Sequence, residues 1–293
     1  VAVELLEEKI MIEVSNICFK YPGSKRPVFT DFSVSMAPGR VYGLLGKNGT
    51  GKSTLLYLMA GLLRPRSGSV CVDGVEASKR RADMLREMFV VPEEFFLPDV
   101  TLDAYVRINA PFYPRFSREV LDACLADFEL PGRLRLGKLS MGQKKKVYMS
   151  FALAAGTRLV LMDEPTNGLD IPSKSIFRRV VARHFTDDRT FVISTHQVHD
   201  VEQLIDHLLI ISTGGMLLDA SVADVCGRYS FELRQPGEPL GGVVYAEPSL
   251  QGNLVMARRQ AGWPETQLNL ELLFNAVVQG KLPAGSLAGG EEV

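Results

Sequence analysis

The sequence predicts an α/β fold: a parallel sheet of strands alternating with helices, a helical insertion, and a small α+β addition at the C-terminal end. Three observations carry this. Short apolar runs recur at 41–45, 159–162, 191–194 and 208–211, with helical stretches between them, the pattern of strands buried in a parallel sheet. A glycine-rich octapeptide joins the first of these runs to a helix. From about Thr101 to Leu139 the apolar spacing changes to that of amphipathic helices.

In chain order, residues before Met11 read as an extension, 1–10, that frays. Ile12–Phe19 alternates and reads as a strand that Tyr21-Pro22-Gly23 ends. Residues 28–36 form a second strand, and Ala37-Pro38-Gly39 turns the chain into 41–45. Strands at 69–73 and 88–91 are closed by Gly74 and Pro92. Thr101 starts a helix, and Ser117 caps another over 118–129, with Val120, Leu121, Cys124, Leu125 and Phe128 on one stripe. Ile176, Phe177, Val180, Val181 and His184 form a further helical stripe. After Ala220 glycines and prolines cluster; strands are expected at 230–234, 243–247 and 254–257, a helix at 268–278, and disorder from 284 to 293. The organisation predicted is thus 1–10, a core over 11–220 with a helical subdomain at about 95–157, and a small domain with a tail over 221–293.

Composition narrows the function. Hydrophobic residues make up 46% and charged residues 23% of 293 residues, an ordinary globular profile. The net charge of −1 gives no bulk electrostatic case for nucleic acid. No apolar run approaches the length of a membrane span, and the acidic start lacks the pattern of a signal peptide. Cys18, Cys71, Cys124 and Cys226 are widely spaced, which argues against a zinc site and fits a reducing compartment.

The octapeptide Gly46-Lys47-Asn48-Gly49-Thr50-Gly51-Lys52-Ser53 fits the phosphate-loop pattern G-x-x-x-x-G-K-[ST]. Glycines let successive backbone N–H groups point at phosphate oxygens, and the helix that follows adds the positive end of its dipole. Lys52 supplies a point charge for the β- and γ-phosphates, and Ser53 a hydroxyl for Mg²⁺. Leu161-Met162-Asp163-Glu164-Pro165 ends an apolar strand with two carboxylates; beside a phosphate loop, the first belongs near Mg²⁺ and the second near the attacking water. Leu139-Ser140-Met141-Gly142-Gln143 lies upstream, and Gly168-Leu169-Asp170 and Ser194-Thr195-His196 lie downstream.

In order and spacing these motifs resemble the ATP-binding subunit of ATP-binding-cassette (ABC) transporters, over about residues 12–220. The resemblance implies a phosphate-loop NTPase core with an ABC-type β subdomain and a helical insertion. It implies that Tyr21 stacks on adenine, and that Gly46, Lys47, Asn48, Gly49, Thr50, Gly51, Lys52, Ser53 and Thr54 surround the nucleotide phosphates. By the same likeness Ser53 and Asp163 serve Mg²⁺, Glu164 polarises the water, and His196 contacts the γ-phosphate. Ser140, Gly142 and Gln143 would reach ATP on a partner subunit, with Asp170 at the interface. Taken singly, Tyr21 reads as a packed turn aromatic and His196 as a loop histidine. Lys144-Lys145-Lys146 reads as a solvated face, or, in the first turn of a helix where the dipole disfavours cations, as a neighbour of nucleotide phosphate.

The chain departs from the family pattern at Glu93, where a neutral Gln is usual. Glu93 either ligates Mg²⁺ directly or stays turned away until the dimer closes; the plainer reading is a solvated loop acid. One phosphate loop and one Leu-Ser-x-Gly-Gln signature imply half of an ATPase, completed by a second copy head to tail and coupled to integral membrane subunits. Phe112-Tyr113-Pro114, the lysine run and the sequence Thr195-His196-Gln197-Val198-His199-Asp200 resemble the drug- and polysaccharide-exporter branch. The place implied is the cytoplasmic side of the cell membrane, peripheral, with ATP and Mg²⁺ as cofactors and no nucleic acid. The alternative is a soluble ABC ATPase acting on ribosomes or DNA, whose members usually carry two cassettes or a long coiled-coil insertion, neither seen here.

Overall fold

A computed structural model describes residues 10–235, 237–238, 241–260, 262 and 264–282. Its elements are β1 (Ile12–Phe19), β2 (Phe29–Met36), β3 (Val41–Leu45), α1 (Lys52–Met59), β4 (Ser67–Val72), β5 (Val75–Glu76), α2 (Ala82–Arg86), β6 (Met88–Val91), α3 (Leu102–Asn109), α4 (Arg118–Asp127), α5 (Met141–Ala154), β7 (Leu159–Asp163), α6 (Ile171–His184), β8 (Thr190–Thr195), β9 (His207–Ser212), β10 (Gly215–Ser221), α7 (Val222–Arg228), β11 (Tyr229–Arg234), β12 (Val243–Ser249), β13 (Gly252–Arg258) and α8 (Leu270–Val278). The extension expected before residue 10 and the tail expected from 284 lie outside the described residues.

The apolar runs form the middle of a six-stranded sheet of order β10-β9-β3-β8-β7-β6, parallel except for β10, which pairs antiparallel with β9. Both faces are covered, which is why these strands read as continuously apolar. Tyr42, Leu44, Leu161, Val192 and Leu209 face a core shared with α1 and the antiparallel sheet β2-β1-β4-β5. Val41, Leu45, Met162, Ile193 and Ile210 face a second core built with α4, α5, α6 and α8. The strands therefore end together at one edge, where the loops after β3, β7 and β8 meet, the usual place for a ligand in a parallel sheet.

The caps follow from side chains. Thr101 Oγ1 accepts from Ala104 N at 3.2 Å and Ser117 Oγ from Val120 N at 3.2 Å. Helix α4 stops before the expected residue 129 because Glu129 turns left-handed (φ 56°). Leu130 N then reaches Leu125 O and Glu129 N reaches Ala126 O, closing the helix in a Schellman motif with a non-glycine residue. The expected strands and final helix after 220 appear as β11, β13, β12 and α8. Sequence reading missed β10, whose glycine and Asp219 hide an edge strand; Asp219 Oδ1 lies 2.7 Å from His207 Nε2 on β9. The core runs unbroken from Phe177 and Val180 on α6 to Leu270, Leu273 and Ala276 on α8, across the boundary expected at 220.

Candidate functional site

The loop between β3 and α1 owes its shape to close packing. Gly51 has φ 104°, and a Cβ there would lie 2.7 Å from Val28 Cγ1 and 2.8 Å from Phe29 Cζ. A Cβ on Gly46 would lie 2.7 Å from the Ile211 carbonyl oxygen. Only glycine fits either place. No described side chain caps α1, and its first turn holds no acid, so its leading N–H groups and the positive end of its dipole face the loop. Lys52 is buried and folds back, donating to Gly46 O at 2.8 Å and Lys47 O at 3.4 Å. Thr50 Oγ1 donates to Lys47 O at 2.9 Å. Burial holds the Lys52 amine below its ordinary pKa, opposed by Glu164 and Asp163. An anion in the loop would meet donors already aimed at it.

The end of β7 brings the two carboxylates to this loop. Asp163 is 1% exposed and accepts a short hydrogen bond from Ser194 Oγ. Burial drives its carboxyl above the ordinary carboxylate range, against hydrogen bonds from Ser194 and Ser53, and the charges of Glu164 and Glu93 push the same way. Glu164 is 6% exposed and has a left-handed backbone, φ 44°, a strained conformation for a side-chain-bearing residue. Its Oε2 accepts from Thr195 Oγ1 at 3.0 Å and from His196 N at 3.3 Å. Its Oε1 lies 2.8 Å from His196 Nδ1 and 3.7 Å from Lys52 Nζ.

These groups open on one cavity of about 570 Å³, whose walls include Tyr21, Asn48, Gly49, Gly51, Lys52, Ser53, Thr54, Glu93, Glu164 and His196. Asp163 lies behind that wall, and Gly46, Lys47 and Thr50 shape the loop through the hydrogen bonds above. Tyr21 packs edge-on against Phe19 and its hydroxyl lies 3.0 Å from Thr54 Oγ1, leaving the ring at the cavity mouth. Ser140 and Gln143 are elsewhere: they make a capping box on α5, Gln143 N donating to Ser140 Oγ and Ser140 N to Gln143 Oε1. Gly142 lines a separate cavity of about 230 Å³ next to Glu93. Asp170 caps α6 through Ser173 N at 2.9 Å.

Sequence reading missed two residues. Asn167 lines the main cavity and donates from Nδ2 to Glu93 Oε1 at 2.9 Å. Lys145 is neither solvated nor on the phosphate cavity; it is 5% exposed and donates to Glu164 O at 3.0 Å and Asn167 O at 2.9 Å. The cations at the start of α5 gave a weak signal, and nothing in the sequence separated Lys145 from its neighbours.

The family model described as ABC transporter matches residues 29–167. The bacitracin transport ATP-binding protein of Bacillus licheniformis is 32% identical over 202 residues, covering 68% of this chain and 66% of that protein. The methionine import ATP-binding protein of Carboxydothermus hydrogenoformans is 30% identical over 230 residues, covering 73% of this chain and 67% of that one. The chain belongs to the ATP-binding proteins of ABC transporters. A solved ATP-binding subunit of an ABC transporter superposes with TM-score 0.66 at 25% identity, over 73% of this chain and 91% of that chain. The fold is the ABC cassette, and the chain is an ABC-type ATPase.

The residues of this ABC cassette fit the metal that such nucleotides carry. Among the described residues, no three His, Cys, Asp or Glu side chains converge as a metal cage. Ser53 and Asp163 instead offer a hydroxyl and a carboxylate side by side. Mg²⁺ is typically held by one or two carboxylates together with phosphate oxygens and water, which suits this donor set. Burial, with the charges of Glu164 and Glu93, holds the Asp163 carboxyl above its ordinary range, and a cation beside it would favour the charged form.

Proposed function

We propose that this chain binds and hydrolyses ATP in the cavity built by residues 46–54, Glu164 and His196, and so powers an ABC exporter through separate membrane subunits. The observation that carries the reading is the convergence of Lys52, Glu164 and His196 on one cavity beside an uncapped helix N-terminus. Lys52 and the loop N–H groups bind the phosphates, and Tyr21 offers a ring face to the base. Ser53 and Asp163 hold Mg²⁺, which, when bound, offsets charge on the phosphate oxygens. Glu164 orients the water and takes its proton as the water oxygen attacks the γ-phosphorus; the bond to the bridging oxygen breaks and leaves ADP and phosphate. His196 holds the Glu164 carboxylate and faces the γ-phosphate.

Ser140, Gly142 and Gln143 lie away from the phosphate cavity of their own chain. That supports a head-to-tail pair in which they close the site of a second copy. The exporter-like runs at 112–114 and 143–146 support export, and the likeness to a methionine import protein stands against it. Among the described residues no helix is long and apolar enough to cross a membrane, so the membrane place proposed, peripheral on the cytoplasmic side, comes from partner subunits. A cavity of about 540 Å³ with exposed Phe112 and Leu62 at its walls offers an apolar surface for them.

Expressed with its membrane subunits, the chain is expected in the membrane pellet, and ATP-driven substrate uptake is expected in inside-out vesicles. Recovery on ribosomes or DNA instead would replace this reading with the alternative class.

Glu93 is open to a direct test. Its Oε1 is held by Asn167 at the wall of both cavities. If the carboxylate ligates Mg²⁺, Glu93→Ala should need several-fold more Mg²⁺ for half-maximal ATPase, while Glu93→Gln keeps its activity. The same Mg²⁺ dependence in all three proteins removes Glu93 from the metal shell.

A further inference from the structure

Lys145 is a buried ammonium outside the phosphate cavity, and burying an ammonium is costly unless something specific needs it. It sits on the second turn of α5, just after the capped start that carries Ser140 and Gly142. Its Nζ spans to the turn after β7, donating to the main-chain oxygens of Glu164 and Asn167. Those two carbonyls bracket a turn in which Glu164 is left-handed and Asn167 N donates back to Glu164 O at 3.2 Å. Asn167 in turn fixes Glu93 by its side chain. One cation thus ties three things together: the start of α5, the backbone that aims the Glu164 carboxylate, and the loop that carries Glu93. A hydrophobic residue could fill the volume, but it could satisfy neither carbonyl nor offset the nearby carboxylates.

We propose that Lys145 is a positioning residue for hydrolysis: its ammonium clamps the 164–167 turn so that the Glu164 carboxylate points at the attacking water, and it links that turn to the α5 start presented to the second copy. This rests on the reading of Glu164 given above. Lys145 acts through Glu164 and not on the nucleotide, so its loss slows turnover and leaves nucleotide affinity in place.

The test is a mutant cycle on the full chain. Lys145→Met should bind Mg-ADP by calorimetry within about twofold of the parent and lower kcat at saturating Mg-ATP by about tenfold or more, the scale of a misplaced catalytic group. In a Glu164→Gln background, Lys145→Met should cost little or nothing further, because residues acting as a unit are non-additive. Unchanged kcat, a parallel loss of affinity and kcat, or a full additional loss in the Glu164→Gln background would each overturn the proposal. Should the Met variant not fold, Lys145→Gln, which keeps a donor and removes the charge, goes through the same cycle and is read by the same outcomes. Wild-type turnover in Glu164→Gln alone would instead remove the reading of Glu164 on which the proposal rests.

Discussion

Glu164→Gln is expected to bind ATP with near-parental affinity and to turn it over roughly a hundred-fold more slowly or worse, the scale of a positioned acid–base group. The structure gives the reason for both halves. The carboxylate is held from three directions, by Thr195 Oγ1, by His196 N and by His196 Nδ1, so an amide of the same shape keeps its place in the wall. The amide cannot take a proton from water. It also turns one acceptor into a donor, which conflicts with the His196 N–H or with Lys52 nearby. The phosphate contacts proposed for the loop N–H groups and Lys52 stay in place, although Lys52 loses its charged neighbour at 3.7 Å. With hydrolysis blocked, the ATP-bound pair of chains should accumulate, which size-exclusion chromatography in Mg-ATP would read. Parental turnover in this variant would remove Glu164 from the mechanism.

The second large effect is expected at Asp163, with opposite signs for activity and stability. Asp163→Asn should lower kcat by roughly a hundred-fold or more, because it removes the carboxylate proposed for Mg²⁺. The same change should raise the melting temperature of the nucleotide-free protein at neutral pH. Burial holds the Asp163 carboxyl above its ordinary value. Below the ordinary carboxylate range this group is protonated in folded and unfolded chains alike, and it costs nothing. As pH rises through its folded value, the unfolded chain ionises more readily than the folded one, and stability is lost. Asn never carries that charge. The gain should therefore be present at pH 7.5 in EDTA and shrink as pH falls toward the ordinary carboxylate range, at about 2–4 °C for each kcal/mol recovered. A variant less stable than the parent at pH 7.5, or a gain that grows on acidification, would contradict this account. A gain would mark a site where stability is traded for a cation-binding function.

What the sequence could carry was local. Strand, glycine loop and helix follow one another within a few residues, so the placing of Lys52 and Ser53 needs no long-range packing to be legible. The strands that end at Asp163 and just before His196 read as apolar runs because both sheet faces are covered. The helix start at Thr101 and the cap at Ser117 are local too: the backbone N–H donors that their hydroxyls accept from lie three residues away.

Tertiary packing decided the rest. Asn167 meets Glu93 across 74 residues of chain, and Lys145 meets the Glu164 and Asn167 carbonyls across 19 and 22. No spacing in the sequence encodes such pairs, because they exist only once α5 and β7 have packed. Among three adjacent lysines, which one turns inward depends on the helix's rotation against its neighbours; α5 presents position 145 to the turn after β7 and leaves Lys144 and Lys146 partly exposed. Glycines and prolines after 220 read as a small appended domain; its α8 shares a buried cluster with α6, a contact that no local pattern marks. The sequence by itself determined the chemistry of the phosphate loop, since its donor-bearing residues are contiguous, 46–53. The three-dimensional arrangement decided how the Glu164 turn is held, since the Lys145 ammonium meets it through main-chain oxygens, which every residue has and no sequence pattern marks.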